Sequence, residues 1–222
     1  MLLCIANVLT TEELDRLTSQ LASAAFQDGK ATAGWHARLV KHNQQLDSAD
    51  PIASETKEIV MAALQRNQLF QMAVRPKQIR PPLFSRYEPG MSYGNHVDNA
   101  LMGTPLMRSD ISMTLFLSRV DDYAGGELIL ETPQGEEAIK LEAGSMVVYP
   151  SSTLHRVDPV IKGVRLVAVT WIQSLVRDAY DREILFDLDT ARQAIFNQQG
   201  KTPEFDLISK AHANLLRKWA EL

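Results

Sequence analysis

The sequence predicts an α+β chain with a mainly β core, helices ahead of it and a helical hairpin behind it. Three observations carry that expectation. Apolar residues recur at helical spacing up to Leu64. From Leu69 onward, short apolar or alternating runs are separated by Pro, Gly and Asp, the pattern of a β-sandwich or barrel. After Trp171 the helical spacing returns. With 222 residues, 45% of them hydrophobic, the chain can bury a sizeable core.

The first nine residues, Met1 to Leu9, are apolar but lack the basic start and small-residue cleavage site of a signal peptide. They read as a buried first strand. Thr10-Thr11-Glu12-Glu13 forms a capping box, with Thr10 as N-cap and Glu13 three residues on. Leu14, Leu17, Leu21 and Ala24 or Ala25 continue that helix, which is expected to end near Gly29. Residues 30–49 are polar and irregular, with Trp35 to Val40 as a short strand. A second helix opens with Asp50 as cap and Pro51 at its first position. Its stripe is Ile52, Ile59, Val60, Ala63 and Leu64.

Strand-like runs follow at 69–75, 78–88, 92–98, 110–118, 127–131, 136–141, 145–149, 153–158 and 164–173. Asp121 to Gly126, Pro133-Gln134-Gly135 and Ala143-Gly144-Ser145 are turn clusters. Residues 99–109 form a long loop, either a lid or a plain connection. Residues 175–196 read as a helix that Gly200 ends, and Pro203 opens a last helix carrying Phe205, Leu207, Ile208, Ala211, Leu215 and Trp219. The expected organisation is therefore an N-terminal helical support region (1–76), a β domain (77–176) and a C-terminal helical extension (177–222).

A net charge of −4 with pI near 5.7 offers no basic footprint for nucleic acid. No apolar run reaches the length that spans a membrane. The single Cys4 excludes an intrachain disulfide and favours a reducing compartment, so a cytoplasmic location is expected. The two-helix tail is expected to present an apolar face through which copies of the chain associate.

The candidate chemistry lies between Tyr87 and Trp171. His96 and Asp98 are two apart, so one strand presents both to one face. With five His and fourteen Asp in the chain, chance alone gives about 0.3 such pairs, and the motif needs its context. That context is the turn Glu88-Pro89-Gly90 before it, His155 at the start of a later strand, and Arg165 between Val164 and Leu166 in an apolar strand. Two His and one carboxylate leave open positions on a metal, the arrangement of non-haem Fe(II) oxygenases. Arg165 offers a fork for the distal carboxylate of a bound diacid. The competing readings are a packing role for His155 and a buried salt bridge for Arg165. His36, His42 and His212 read as surface or packing residues. Tyr93, Met102, Arg108 and Trp171 are candidates for a substrate pocket.

Arg86-Tyr87-x-x-Gly90-x-x-Tyr93-x-x-His96-x-Asp98, Gly125-Gly126-Glu127-Leu128, Gly144 to Pro150, His155-Arg156-Val157 and Gly163-Val164-Arg165 occur in order. This series resembles the prolyl-4-hydroxylase-like Fe(II)/2-oxoglutarate oxygenases, and the whole chain is similar to the bacterial PKHD-type hydroxylases. The resemblance implies a double-stranded β-helix (jelly roll) with a helical C-terminal extension. It implies His96, Asp98 and His155 as ligands of Fe(2+), with Arg165 anchoring the C5 carboxylate of 2-oxoglutarate and Tyr87 hydrogen-bonding that co-substrate. It further implies O2 as oxidant, L-ascorbate as reductant, and a small-molecule or peptide side-chain substrate. One position departs from the pattern. Some relatives carry a tyrosine on the strand after the loop, where this chain reads Ile111 to Leu117 without one. Thr114 or another hydroxyl is the candidate substitute. Two other classes fit the same ligands, a cupin-like metal protein of different chemistry and a non-enzymatic Fe(II) or 2-oxoglutarate sensor.

Overall fold

A computed structural model describes residues 1–222. The Thr10 hydroxyl accepts the Glu13 N–H while the Glu13 carboxylate accepts the Thr10 N–H, and helix α1 spans Thr11–Ala22 behind that box. It stops before Gly29 because Phe26–Asp28 is taken up as a strand beside Gln44–Leu46. Trp35 to Val40 is not a strand either. Ala37–Leu39 is a short 3-10 helix, and the strand Lys41–His42 follows it. The Asp50 carboxylate accepts the N–H groups of Ile52 and Ala25, so it closes a turn and ties that turn to the end of α1. Helix α2 then runs Ala53–Arg66. Residues 69–75, expected as a strand, belong to helix α3, Gln68–Val74, capped by the Asn67 side chain on the Phe70 N–H. Its buried residues Phe70, Ala73 and Val74 have helical, not alternating, spacing.

Eight strands form the larger antiparallel sheet. In order across it they are Leu3–Ile5, Met146–Pro150, Ile111–Phe116, Arg165–Ser174, Leu83–Tyr87, Gln44–Leu46 and Phe26–Asp28, with Pro76–Ile79 paired to the far end of Arg165–Ser174. The smaller sheet orders Gly135–Ile139, Leu128–Thr132, His155–Val157, Ser92–His96 and Lys41–His42. Neighbours in space are distant in sequence, and the two sheets face one another as a jelly roll. The first 76 residues thus supply strands to both sheets as well as helices.

Alternation along each strand divides the interior in two. Ile111, Met113 and Leu115 join Met146, Val148, Ala168, Ile172 and Phe84 in a core shared with Leu17, Leu21, Val60, Leu64 and Phe70 of α1–α3. The intervening residues turn the other way. Phe116, Val147, Tyr149, Val167 and Tyr87 meet Leu128, Leu130 and Val157 of the smaller sheet, with Val160 of the adjoining two-stranded ribbon. All six residues of Ile111–Phe116 are buried, as a strand covered on both faces must be.

Two further features frame the space between the sheets. Residues 99–109 are not an open loop, since Leu101–Met102 and Met107–Arg108 pair as a small hairpin. At the other end, α4 (Ala179–Gln199) and α5 (Pro203–Trp219) form the expected helical hairpin. His212 is buried in it rather than exposed, with Nε2 2.8 Å from Arg75 and Asp189 nearby. No helix is long and apolar enough to cross a membrane.

Candidate active site

His96 ends the strand Ser92–His96, and His155 opens His155–Val157. The two strands are neighbours and place these residues directly opposite one another. Asp98 lies just past the strand end, yet the alternation persists: His96 is buried, Val97 is exposed, and the Asp98 side chain is again turned inward. One ligand atom from each of His96, Asp98 and His155 lies within 4.8 Å of the others. The carbonyls of Gly94 and Thr153 each sit 2.9 Å from Nδ1 of the histidine two residues on. A carbonyl only accepts, so each Nδ1 carries the proton and each Nε2 lone pair faces the other ligands. Asp98 Oδ2 accepts from the Ser112 hydroxyl at 2.5 Å, and Ser112 donates alternatively to Ser151 at 2.8 Å. Burial, reinforced by His155, pushes the His96 imidazole down to about 4, so the ring is neutral, the form that binds a metal. Two imidazoles and one carboxylate therefore fit a divalent iron with open positions.

Arg165 is 1% exposed and forms no ion pair. Its Nε is buried without a hydrogen-bond partner, as is the hydroxyl of neighbouring Tyr123. The guanidinium lies over the rings of Tyr87 and Phe116, 5.1 and 5.6 Å from their centroids. Gly126 makes this position possible, because a Cβ there would sit 3.0 Å from Arg165 Cδ and its φ is +69°. The structural salt bridge considered for Arg165 is absent. A buried, unpaired cation is costly, and a bound carboxylate removes that cost.

These groups line one cavity of about 490 Å³. Tyr87, Tyr93, Met102, Thr114 and Trp171 line it as well. Tyr93 stacks on His96 with centroids 3.6 Å apart. Arg108 does not line the cavity. Asp110 and Glu221 hold its guanidinium, Nε and Nη1 lying 2.6 and 2.9 Å from their oxygens. Ile111–Phe116 carries no tyrosine, but the adjacent strand does. Tyr149, directly across from Ser112, is buried with its phenol beside Thr114 and near Arg165. Burial first, and Asp98 second, push that phenol up, so it remains a donor. The sequence showed Tyr149 only as one residue of an apolar strand. Lys41, Asn43 and Arg80 also line the cavity and were not anticipated, since they fall in segments without apolar periodicity or at a strand end.

The segment from residue 82 to 173 matches the model of the 2OG-Fe(II) oxygenase superfamily, and residues 179–221 match the PKHD-type hydroxylase C-terminal domain. Fold, donor set and family model together define an Fe(II)- and 2-oxoglutarate-dependent dioxygenase, which uses O2 and hydroxylates its substrate. A PKHD-type hydroxylase from Gloeothece citriformis is 62% identical over 221 residues, with 100% of both chains covered. The chain belongs to the PKHD-type hydroxylase family. Among solved structures, a Pseudomonas putida prolyl-4-hydroxylase shares the fold with a TM-score of 0.53 at 19% identity, over 78% of this chain and 92% of that one. HygX from Streptomyces hygroscopicus, with nickel, 2-oxoglutarate and hygromycin B bound, does so with a TM-score of 0.52 at 11% identity, over 76% and 81%.

Proposed function

We propose that His96, Asp98 and His155 hold the iron and that Arg165 anchors the far carboxylate of 2-oxoglutarate. The observation that carries this reading is the buried guanidinium of Arg165, which lacks any protein counter-ion in the cavity that the three ligands share. Tyr149 and Thr114 supply hydroxyls to the same carboxylate, and the hydroxyl of Tyr87, which lines the cavity, hydrogen-bonds the co-substrate. Iron bound there supplies the O2 activation that couples decarboxylation of 2-oxoglutarate, to succinate and CO2, with hydroxylation of a C–H bond. The protein's own part is positional. The backbone carbonyls of Gly94 and Thr153 fix both imidazole tautomers, Ser112 orients Asp98, and the apolar walls Leu128, Val157 and Val169 exclude water. A cupin-like protein of other chemistry has no use for Arg165. Ascorbate as reductant, a cytoplasmic location, the three-part division at 76 and 176, and self-association through α4 and α5 belong to the same proposal. The exposed Tyr180, Ile184, Phe196 and Leu207 support the last of these.

Anaerobic titration of the Fe(II) protein with 2-oxoglutarate tests the site. A visible charge-transfer band is expected on chelation. Arg165→Met should raise the 2-oxoglutarate concentration needed for half-formation by about 100-fold, the scale of a buried charge-assisted pair, with iron affinity retained. An unchanged midpoint would remove Arg165 from the site.

A further inference from the structure

Of the charged side chains lining the cavity, Asp98 is the one acid, and Lys41, Arg80 and Arg165 are the cations. None of the three cations forms an ion pair in the protein. Iron(II), Asp98, Arg165 and a 2-oxoglutarate dianion together sum to zero charge. Lys41 and Arg80 are then left without a counter-charge in the cavity, Asp28 acting on Lys41 from outside its lining and beyond ion-pair distance. Lys41 is 5% exposed, and its ammonium has a single hydrogen bond, donated to the Thr32 hydroxyl at 2.9 Å. That hydroxyl is itself engaged with Gln45, which reaches Ser85. The strand Lys41–His42 sets Lys41 directly opposite Tyr93, and the ammonium lies 5.1 Å from the Tyr93 centroid. Tyr93 stacks in turn on His96. Lys41 therefore sits one aromatic ring away from the metal ligands.

Arg80 occupies a different end of the cavity from Arg165. Its N–H donates to the carbonyl of Trp171, six residues along the strand that begins with Arg165, a run of about 20 Å. The guanidinium packs under the hairpin, where Gly103 leaves it room, since a Cβ there would lie 2.4 Å from Nη1.

Building on the iron and 2-oxoglutarate site proposed above, we propose that the substrate of this enzyme carries a carboxylate and that Lys41 receives it, with Arg80 as the second cation of the substrate side. Burial pushes the Lys41 ammonium down to about 8, which leaves it predominantly charged at neutral pH. The cavity volume suits a small acid or one acidic peptide terminus beside the co-substrate.

The test uses the full-length Fe(II) protein saturated with 2-oxoglutarate under nitrogen. The probes are N-acetyl amino acids, acetyl dipeptides, and the carboxamide of each. Binding is read from perturbation of the charge-transfer band and from tryptophan fluorescence, since Trp171 lines the cavity. Acids should bind at least about tenfold tighter than their amides, the scale of one hydrogen bond to a charged group. That preference should collapse in Lys41→Met and weaken in Arg80→Gln, while 2-oxoglutarate affinity stays within about twofold of wild type. A preference for free amino-acid derivatives over dipeptides identifies a small-molecule acid, and the reverse a peptide terminus. Equal affinity of acid and amide, or no saturable binding of any acid, overturns the proposal. So does loss of 2-oxoglutarate binding in Lys41→Met, which would assign Lys41 to the co-substrate. No charge-transfer band in the wild-type protein would instead refute the site reading on which this rests.

Discussion

Arg165 and Lys41 share a physical predicament. Each is a cation taken out of water that forms no close ion pair with the protein, and for Lys41 the carboxylates of Asp98 and Asp28 offset only part of the burial penalty. Such groups weaken a fold, and a residue retained at that expense serves a ligand. For Lys41 the penalty has a pH signature. Its folded value near 8 lies below the ordinary lysine value of 10.5, so between those values the unfolded chain binds the extra proton and stability rises with pH. Lys41→Met should therefore stabilise the ligand-free protein. The advantage over wild type, at most about 3 kcal/mol from a shift of this size, is full below pH 8 and vanishes above about 10.5. Urea unfolding of both proteins across that range checks it. Arg165→Met should likewise unfold at a higher temperature than wild type without 2-oxoglutarate. Saturating 2-oxoglutarate should reverse the order, because ligand binding stabilises only the protein that binds it. A Tm for the variant that is lower than wild type in both conditions would show that the guanidinium serves packing instead.

At the scale of elements, the strands that build the site were legible because burial on one face imposes a period of two. His96-x-Asp98 and the return of His155 could be placed from sequence for that reason. What was not legible arose from elements too short to show a period. Residues 69–75 read as a strand, although Asn67 and the spacing of Phe70, Ala73 and Val74 already describe a capped turn of helix. Lys41 lay hidden because a two-residue strand carries no pattern at all. Tyr149 was in view, but only the pairing of its strand with Ile111–Phe116 brings its hydroxyl beside Thr114. The C-terminal hairpin, predicted correctly as two helices, conceals a polar knot. Asp189 of α4 pairs with Arg192 at 2.6 Å and with Arg75 at 3.5 Å, with His212 of α5 close by. Burial is the largest single influence and pushes the Asp189 carboxyl up, but the hydrogen bond and charge of Arg192, the Gln193 hydrogen bond and the His212 charge together outweigh it and the net value is lowered. A lowered carboxyl contributes stability above its ordinary value and loses it as pH falls through the folded one. Asp189→Asn should cost about 3 kcal/mol at neutral pH by stranding Arg75 and should flatten the acid limb of the stability profile. Chemical denaturation at pH 7 and pH 4 separates those effects.

Across the whole molecule, the terminal regions are parts of one interior. The first strand extends the larger sheet, α1–α3 cover its outer face, and Phe186 of α4 packs on the same core. A calorimetric scan of the full chain should accordingly show one unfolding transition, and a chain ending at residue 176 should melt lower and bind the hydrophobic dye ANS. Two resolved transitions would show α4 and α5 to be an independent unit. The charge balance of the cavity belongs to this scale too, because Lys41 comes from the smaller sheet, Arg165 from the larger one, and Asp98 and Arg80 from the segments just past two strand ends.

The pairing of Arg108 with Glu221 links its hairpin to the penultimate residue, whose N–H also donates to the Leu175 carbonyl. The hairpin of Leu101–Met102 and Met107–Arg108, which lines the cavity through Leu101, Met102 and Gly103, is thus tied to the segment that follows α5. Arg108 and the Leu175 carbonyl hold Glu221 from two sides, while at the other end of the chain Met1 packs against the larger core beside its contact with Glu183. Glu221→Gln should therefore loosen the hairpin without altering any residue that lines the cavity.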